Sequence, residues 1–479
     1  MQVAVLGAGF GGLAMAHALA EVGIDDIAIF ERNEGVGGTW LANSYPGAAC
    51  DVPSHLYSLS YAPNPNWSRT YAGQAEILAY IEDCYERFGI IDKVRVSTTI
   101  VAAHWQEDDH CWRITDQQGR TVEASVLVSA IGLFHTPAMP TIAGMDDFVG
   151  TSFHSAQWDH THDIAGRRVA VVGTGASSIQ IVPAIADVAE RVLVFQRTPP
   201  WIVPRRDEPF TDEQRRTFAE EPEVARRLRD ETHALFESNL SFLRGDPSAE
   251  FLSQMASEHL DRKVVDRELR ARLRPDYPVG CKRTLVSSAF YPAVQRDDVE
   301  LVTDPIERVT PDGIRTTDGR EWPCDTVVWS TGFRASEYLR GIEVSGRGRQ
   351  DLHELWDGVP RAYHGMAVPA FPNFFMLYGP NTNQGGNSII LMLEAQASFI
   401  AGALAAMEVR GARTVEVNEA AMDDYTEELL DRMEETVWSN GCDSYFRAAS
   451  GDIVTQIPHT STWYRERLEH VSSDDFHLR

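Results

Sequence analysis

Two stretches of this sequence share one form: an apolar strand, a glycine turn, then a helix. Gln2–Leu6 runs into Gly7-Ala8-Gly9-Phe10-Gly11-Gly12; a helix reads from Gly12 to Ala20 and a second strand at Ile27–Phe30. Arg168–Val172 runs into Gly173-Thr174-Gly175-Ala176-Ser177-Ser178; a helix reads from Ser177 and the next strand at Val192–Phe195. In such a turn the first glycine allows the tight bend and the second lets the backbone approach a pyrophosphate. The third lets helix and strand pack closely, and the helix N-terminal amides face the anion. One hexapeptide alone is a weak signal. Two in this context hold the chain to an α/β fold with two Rossmann-like dinucleotide-binding domains.

The two units differ at the end of their second strands. Glu31 closes the strand after the first turn, where a carboxylate accepts hydrogen bonds from a ribose diol and repels a 2′-phosphate. That site fits FAD or NAD, not NADP. In the second turn Ser178 stands for the third glycine, small enough for the same packing. The position matching Glu31 is Gln196, followed by Arg197 and Thr198. Loss of the acid beside a new guanidinium is the pattern for a ribose 2′-phosphate, so this site fits NADP.

The rest of the chain fits around these units. Thr98–Ile131 alternates like a small meander returning to a core strand at Ser125–Ile131, and Leu133–Asp147 is punctuated by prolines like a linker. Residues 205–275 are densely charged at helical spacing and read as a helical insertion, either covering a cleft or standing as a solvated hairpin. Strands resume at Glu300–Val302 and Asp325–Ser330. The expected division is residues 1–145 for the first part of the FAD-binding domain, 146–335 for the NADP-binding domain with its insertion, and 336–479 for the second part of the FAD-binding domain and a C-terminal segment.

Composition excludes several roles. With 70 acidic and 43 basic residues the net charge is −27, a field that repels phosphate backbones and anionic lipid. Neither nucleic acid nor a membrane is expected as a partner. Six scattered cysteines, with no CxxC and no zinc-like spacing, argue against a disulfide framework and a metal site and read as a reducing, cytoplasmic setting. A strand pattern beginning at Gln2 leaves no room for a secretory leader. The apolar stretch Ser388–Met407 carries Glu394 and Gln396 and makes a poor membrane span. Only Lys93, Lys263 and Lys282 are lysines; arginine is the usual cation here.

Further motifs lie in order along the chain. Gly37-Gly38-Thr39-Trp40 precedes Tyr45-Pro46-Gly47 and Asp51; Phe148, Gly150, His154, Trp158 and Asp159 have the spacing F-x-G-x-x-x-H-x-x-x-W-D. Together with Gly280-Cys281-Lys282-Arg283, Ser330-Thr331-Gly332-Phe333 and Tyr378-Gly379-Pro380-Asn381, they resemble the type I Baeyer–Villiger monooxygenases, a branch of the class B flavoprotein monooxygenases. The resemblance is weakest in 205–275 and after 445.

The resemblance implies FAD in the first site and NADPH in the second. It implies hydride transfer to flavin, reaction with O₂ to a C4a-peroxyflavin, and attack of that peroxide on a small-molecule ketone to give an ester or lactone. It also assigns residues. Arg283 matches the arginine that stabilises the peroxide and the tetrahedral anion, and Asp51 the carboxylate that orients it. Lys282 matches a second ligand to the 2′-phosphate. Gly38, Thr39, Trp40 and Tyr45 line the flavin, and Asn381 lies in a polar run before a helix whose N-terminus faces the flavin. His154 reads as fixing the interdomain connection rather than moving a proton. Ser444-Tyr445-Phe446 departs from the family's Ser-Trp-Tyr, which bears on contact with the nicotinamide ribose.

The nearest alternative is N- or S-oxygenation by a flavin-containing monooxygenase with the same cofactors. A dithiol reductase of the two-site fold needs a redox cysteine pair that neither CxxC nor CxxxxC supplies here. A non-catalytic flavin-binding protein has no use for Asp51, Lys282 and Arg283 together. Pocket residues come from several loops and the insertion, so the motifs point to a reaction and leave the ketone and the oligomeric state, monomer or homodimer, open.

Overall fold

A computed structural model describes residues 1–439 and 441–479. Each glycine turn sits at the end of a strand in its own five-stranded parallel sheet. The first sheet runs Phe374–Met376, Val126–Ser129, Val3–Leu6, Ile27–Phe30, Val94–Arg95. Val3 is in register with both Ile27 and Val126. The second runs Val299–Val302, Arg191–Phe195, Arg168–Val172, Thr326–Trp329, Thr151–His154.

The central strands are almost wholly apolar because both faces are covered, as parallel sheets require. In the first sheet Val3, Val5, Ile29, Val126 and Val128 pack with the helix Phe10–Glu21 and with the long helix Ile389–Val409. Ala4, Leu6, Ala28, Phe30 and Leu127 face the other way, toward Trp105, Trp112 and Ile114 of the antiparallel strands Ile100–Gln106, Cys111–Asp116 and Thr121–Ala124. The second sheet repeats the scheme, with Val169, Val171, Val192 and Val194 on one face and Ala170, Val172, Leu193 and Phe195 on the other.

The helix Ile389–Val409 is long and apolar enough to cross a membrane by length and composition. Here Ile390, Leu393, Ala397, Ile400 and Leu404 are buried in the first domain's core.

The insertion forms the helices Asp212–Glu220, Pro222–Glu237, Pro247–Lys263 and Arg267–Arg272. Thr211, Asp246 and Asp266 cap three of them with side-chain oxygens on backbone N–H groups. It is tied to the rest of the chain by hydrogen bonds. Arg229 donates from Nη1 to the carbonyls of His55, Leu56 and Ser58, and Glu237 accepts from Ser461, Thr462 and Asn387.

Two readings need correction. Thr151–His154 forms an edge strand on the second sheet, in register with Thr326–Trp329, where the sequence showed only a motif. The cysteines are not all free: Cys281 and Cys442 form a disulfide with Cα atoms 5.5 Å apart across 161 residues of chain. That separation hides the pair from a search for short spacings. Cys50, Cys84, Cys111 and Cys324 are free thiols.

Candidate functional site

The glycine turns show why other residues are excluded. A Cβ on Gly7 would lie 2.7 Å from the Ala130 carbonyl oxygen, and one on Gly173 would lie 2.4 Å from that of Ser330. Both have positive φ, at +104° and +111°. A Cβ on Gly12 would meet the Gly7 carbonyl oxygen at 2.1 Å, so helix and strand are in backbone contact there. Ser178 fills the matching place fully buried, its Oγ without a partner. A Cβ on Gly38 would come 2.9 Å from the Gly9 Cα, so the first motif loop lies directly on the first turn. Around Gly175 nothing stands within 4 Å of an added Cβ. The backbone there faces open space, which fits a pyrophosphate approaching the turn.

Glu31 is 4% exposed and sits under the first turn. Its carboxylate accepts from the backbone N–H of Ala8, at 2.8 Å, and from Asn33. It holds the shape of the turn.

The first motif loop bridges the two sheets' domains. Trp40 is buried and its Nε1 donates to the Tyr57 hydroxyl; Thr39, next to it in the chain, is exposed. The Tyr45 hydroxyl donates to Gln180 Oε1 at 3.0 Å, and Gln180 Nε2 donates to the Ala49 carbonyl. Gln180 belongs to Ser178–Ile185, the helix that starts at the second turn.

Between the turns lies one charged pair. Arg283 Nη2 is 2.7 Å from Asp51 Oδ1. Asp51 raises the pKa of this guanidinium above its ordinary value, against the opposing effect of burial. Tyr45, Tyr378 and Tyr445 stand within electrostatic reach of Arg283, and burial raises the pKa of all three phenols. Tyr45 and Tyr378 are half-buried there, and Tyr445 is exposed. Lys282 lies 5.0 Å from the centre of the Tyr277 ring. Burial lowers its ammonium pKa; Asp443 opposes that and the neighbouring charge of Arg197 adds to it. Arg197, far from Lys282 in sequence, thus stands within electrostatic reach of it. Thr198 follows Arg197 in the chain, its carbonyl accepting from Thr174 Oγ1 in the second turn.

Two other predicted residues are placed differently in kind. Asn381 is 2% exposed, and its Nδ2 donates to the carbonyls of Ile453 and Gln456. Its amide ties the polar run to the C-terminal segment. His154 is buried; Nδ1 accepts from the Ala156 N–H, so Nε2 carries the proton and donates to the Gly332 carbonyl at 3.0 Å. That carbonyl also accepts from Ala138, so His154 fastens the two interdomain strands to each other.

Sequence reasoning missed Gln180, Tyr378 and the Cys281–Cys442 bridge. For Tyr378 a signal existed: it opens the Tyr-Gly-Pro-Asn motif and has φ +59°. A cavity of about 680 Å³ lies along Ile389–Val409, lined by Arg229, Glu394, Phe399 and Leu468 among others, and none of the predicted site residues lines it.

The flavin-binding monooxygenase-like family matches residues 1–211. A Baeyer–Villiger monooxygenase of Pseudomonas aeruginosa is 40% identical over 481 residues, covering all of this chain and 91% of that protein. The crystal structure of cyclohexanone monooxygenase from Rhodococcus sp. Phi1 bound to NADP⁺ superposes with a TM-score of 0.89 at 28% identity, covering all of this chain and 99% of that one. OTEMO in complex with FAD and NADP gives a TM-score of 0.90, again at 28% identity and with the same coverage. With both glycine turns, both motif loops and the Asp51–Arg283 pair in place, the chain belongs to the Baeyer–Villiger monooxygenases, the ketone-oxygenating branch of the FAD- and NADPH-dependent flavoprotein monooxygenases.

Proposed function

We propose that this chain oxidises a small-molecule ketone to an ester or lactone with NADPH and O₂, and that Arg283 and Asp51 are its catalytic pair. The observation that carries the reading is the 2.7 Å contact between Arg283 and Asp51, with Lys282 within electrostatic reach of Arg197. FAD, when bound, supplies the oxygen-activating chemistry, and NADPH supplies the hydride. The chain's own residues do the rest. Arg283 is permanently charged and presents preorganised donors to oxygen atoms that become anionic as the ketone reacts. Asp51 holds the guanidinium in one orientation. The phenols of Tyr45, Tyr378 and Tyr445 stand within electrostatic reach of it.

Binding divides along the two turns. Gly7, Gly9, Gly12 and Glu31 would hold the adenosine end of FAD, and Gly38, Thr39, Trp40 and Tyr45 would contact its flavin. Gly173, Gly175 and Ser178 would hold the pyrophosphate of NADPH, and Arg197, Thr198 and Lys282 its 2′-phosphate. Asn381 acts on FAD through the backbone it holds. The domain limits follow the same proposal: residues 1–145 and 336–479 on the FAD side and 146–335 on the NADPH side. The acidic chain acts in the cytoplasm on small molecules, without nucleic acid or membrane partners.

A panel of ketones and a thioether, assayed with purified FAD-loaded protein and NADPH, tests this reading. Ester or lactone should form from a ketone. Sulfoxide as the sole product across the panel would assign the enzyme to heteroatom oxygenation instead.

A further inference from the structure

The disulfide lies next to the cationic dipeptide. Cys281 immediately precedes Lys282 and Arg283, and Cys442 immediately precedes Asp443, three positions before Tyr445. Asp443 is one of the charges acting on Lys282, and Tyr445 one of those acting on Arg283. The bridge therefore joins the two segments whose side chains face each other across the cationic site.

Other contacts prepare the same junction. Trp438 Nε1 donates to the Gly280 carbonyl at 2.8 Å, and the Val437 N–H donates to the Phe242 carbonyl. Trp438 stacks on Phe242 with ring centres 5.3 Å apart. A Cβ on Gly280 would lie 2.5 Å from the Ser241 carbonyl oxygen, so this loop is pressed against the insertion. Arg447 donates to the carbonyls of Cys442, Trp438 and Gly451, folding the C-terminal segment onto itself. Among the described residues, Lys282 and Arg283 have one side-chain ion pair between them, Arg283 with Asp51. Their backbone is held through Gly280 and Cys281.

Cys50, Cys84, Cys111 and Cys324 remain thiols, so this is not a disulfide-stapled scaffold. In the reducing compartment proposed for this chain, a disulfide is usually transient and catalytic or redox-sensing.

We propose that Cys281 and Cys442 are a reversible thiol–disulfide pair that positions Lys282 and Arg283: bridged, it locks the dipeptide against the C-terminal segment for nucleotide binding and oxygenation, and reduced, it releases it. The oxidant is hydrogen peroxide, which a flavoprotein oxygenase releases when turnover is uncoupled. One thiolate sulfur attacks peroxide; an S–O bond forms, the O–O bond breaks and hydroxide leaves. The second thiol attacks that sulfur; the S–S bond forms, the S–O bond breaks and water leaves, so two thiols and one peroxide give one disulfide and two waters. A dithiol reductant reverses the bridge by exchange. Leaked peroxide would thus restore the geometry that limits leakage. The proposal rests on the oxygenase reading, but its bridge and NADP⁺-affinity readouts need no ketone, and only the coupling readout uses one.

The test uses FAD-loaded enzyme in two states: treated with hydrogen peroxide, and reduced with a dithiol then freed of reductant. Peptide mapping under non-reducing conditions reads the bridge, NADP⁺ titration reads affinity, and peroxide released per NADPH consumed reads coupling. Both sulfurs are buried, Cys281 at 2% exposure and Cys442 at 6%, so the Cys281→Ser/Cys442→Ser variant provides the open state independently of reductant access. Loss of positioning of about 1 Å costs on the order of a hundredfold in rate. The open states should bind NADP⁺ roughly tenfold or more weakly and release more peroxide, while FAD content stays constant. Peroxide should restore the reduced wild type but not the serine variant. Two free thiols after peroxide treatment, or equal NADP⁺ affinity and coupling in both states, would overturn the proposal. Either result leaves the ketone-oxidation reading untouched.

Discussion

Arg283 and Asp51 meet at 2.7 Å across 232 residues of chain. The carboxylate comes from the loop beside the first glycine turn and the guanidinium from the loop after the helical insertion. Neither glycine turn depends on this contact. Arg283→Ala should therefore keep bound FAD and lose about 10²–10³ in ester formation, the scale for removing a preorganised oxyanion donor. Asp51→Ala should lose less, because the cation survives and only its orientation goes. NADPH consumption, peroxide release and ester formation measured together decide it; a normal ester rate in Arg283→Ala refutes the catalytic assignment.

Arg197 stands within electrostatic reach of Lys282, and both are proposed to hold the 2′-phosphate. Charge-assisted bonds of about 1.5–3 kcal/mol each make NADPH the preferred nucleotide. Arg197→Ala or Lys282→Ala should weaken NADPH binding roughly tenfold to a hundredfold and leave NADH nearly unchanged. Equal losses for both nucleotides would separate these residues from the 2′-phosphate.

Burial lowers the Lys282 pKa, which gives this site a pH signature. A depressed ammonium loses its proton at a lower pH than an ordinary lysine, near 10.4. NADPH affinity should therefore fall on the alkaline side before ordinary lysines titrate, and NADH affinity should not follow it. Lys282→Arg should remove this alkaline fall, because a guanidinium stays charged. An unchanged pH profile in that variant excludes Lys282 as its source.

Glu31 shapes the first turn, and it is the residue proposed to accept from the ribose of FAD. Glu31→Ala should yield protein that loses flavin on dilution, and denatured wild type should release FAD. Release of FMN would mean that no adenosine ribose is held there.

His154 is buried with its pKa lowered by that burial. The folded state binds its proton less readily than the unfolded chain does. Its contribution to stability is therefore complete above the unfolded pKa of about 6.5 and is lost as pH falls below it. His154→Gln should flatten that acid-side loss in a pH series of thermal melts; an identical slope would place the titration elsewhere.

What the sequence made legible was local. The glycine turns, Glu31, Arg197 and the strands Ile27–Phe30 and Arg168–Val172 announce themselves through spacing of neighbours, and the structure has both strands at those bounds. The helical insertion was legible as helices, but its grip on His55, Leu56 and Ser58 was not, because Arg229 reads like any surface arginine. Thr151–His154 escaped as a strand because it is short and partly exposed on an edge, where no alternation or apolar run marks it. Cys281–Cys442 and Tyr45–Gln180 are pairings between distant segments, and a single sequence holds no trace of them.

The first sheet ends on Phe374–Met376, which pairs with Val126–Ser129, and the whole second sheet is written between them. A ribosome therefore delivers a complete second sheet while the first still lacks an edge strand and the long helix Ile389–Val409 that covers it. Domains fold as they emerge, so the NADP side is ready to fold before the FAD side can close. Flavin loading is thus a late event in the birth of this enzyme, and a nascent chain stalled before residue 374 should hold a nicotinamide-nucleotide fold with no finished seat for its flavin.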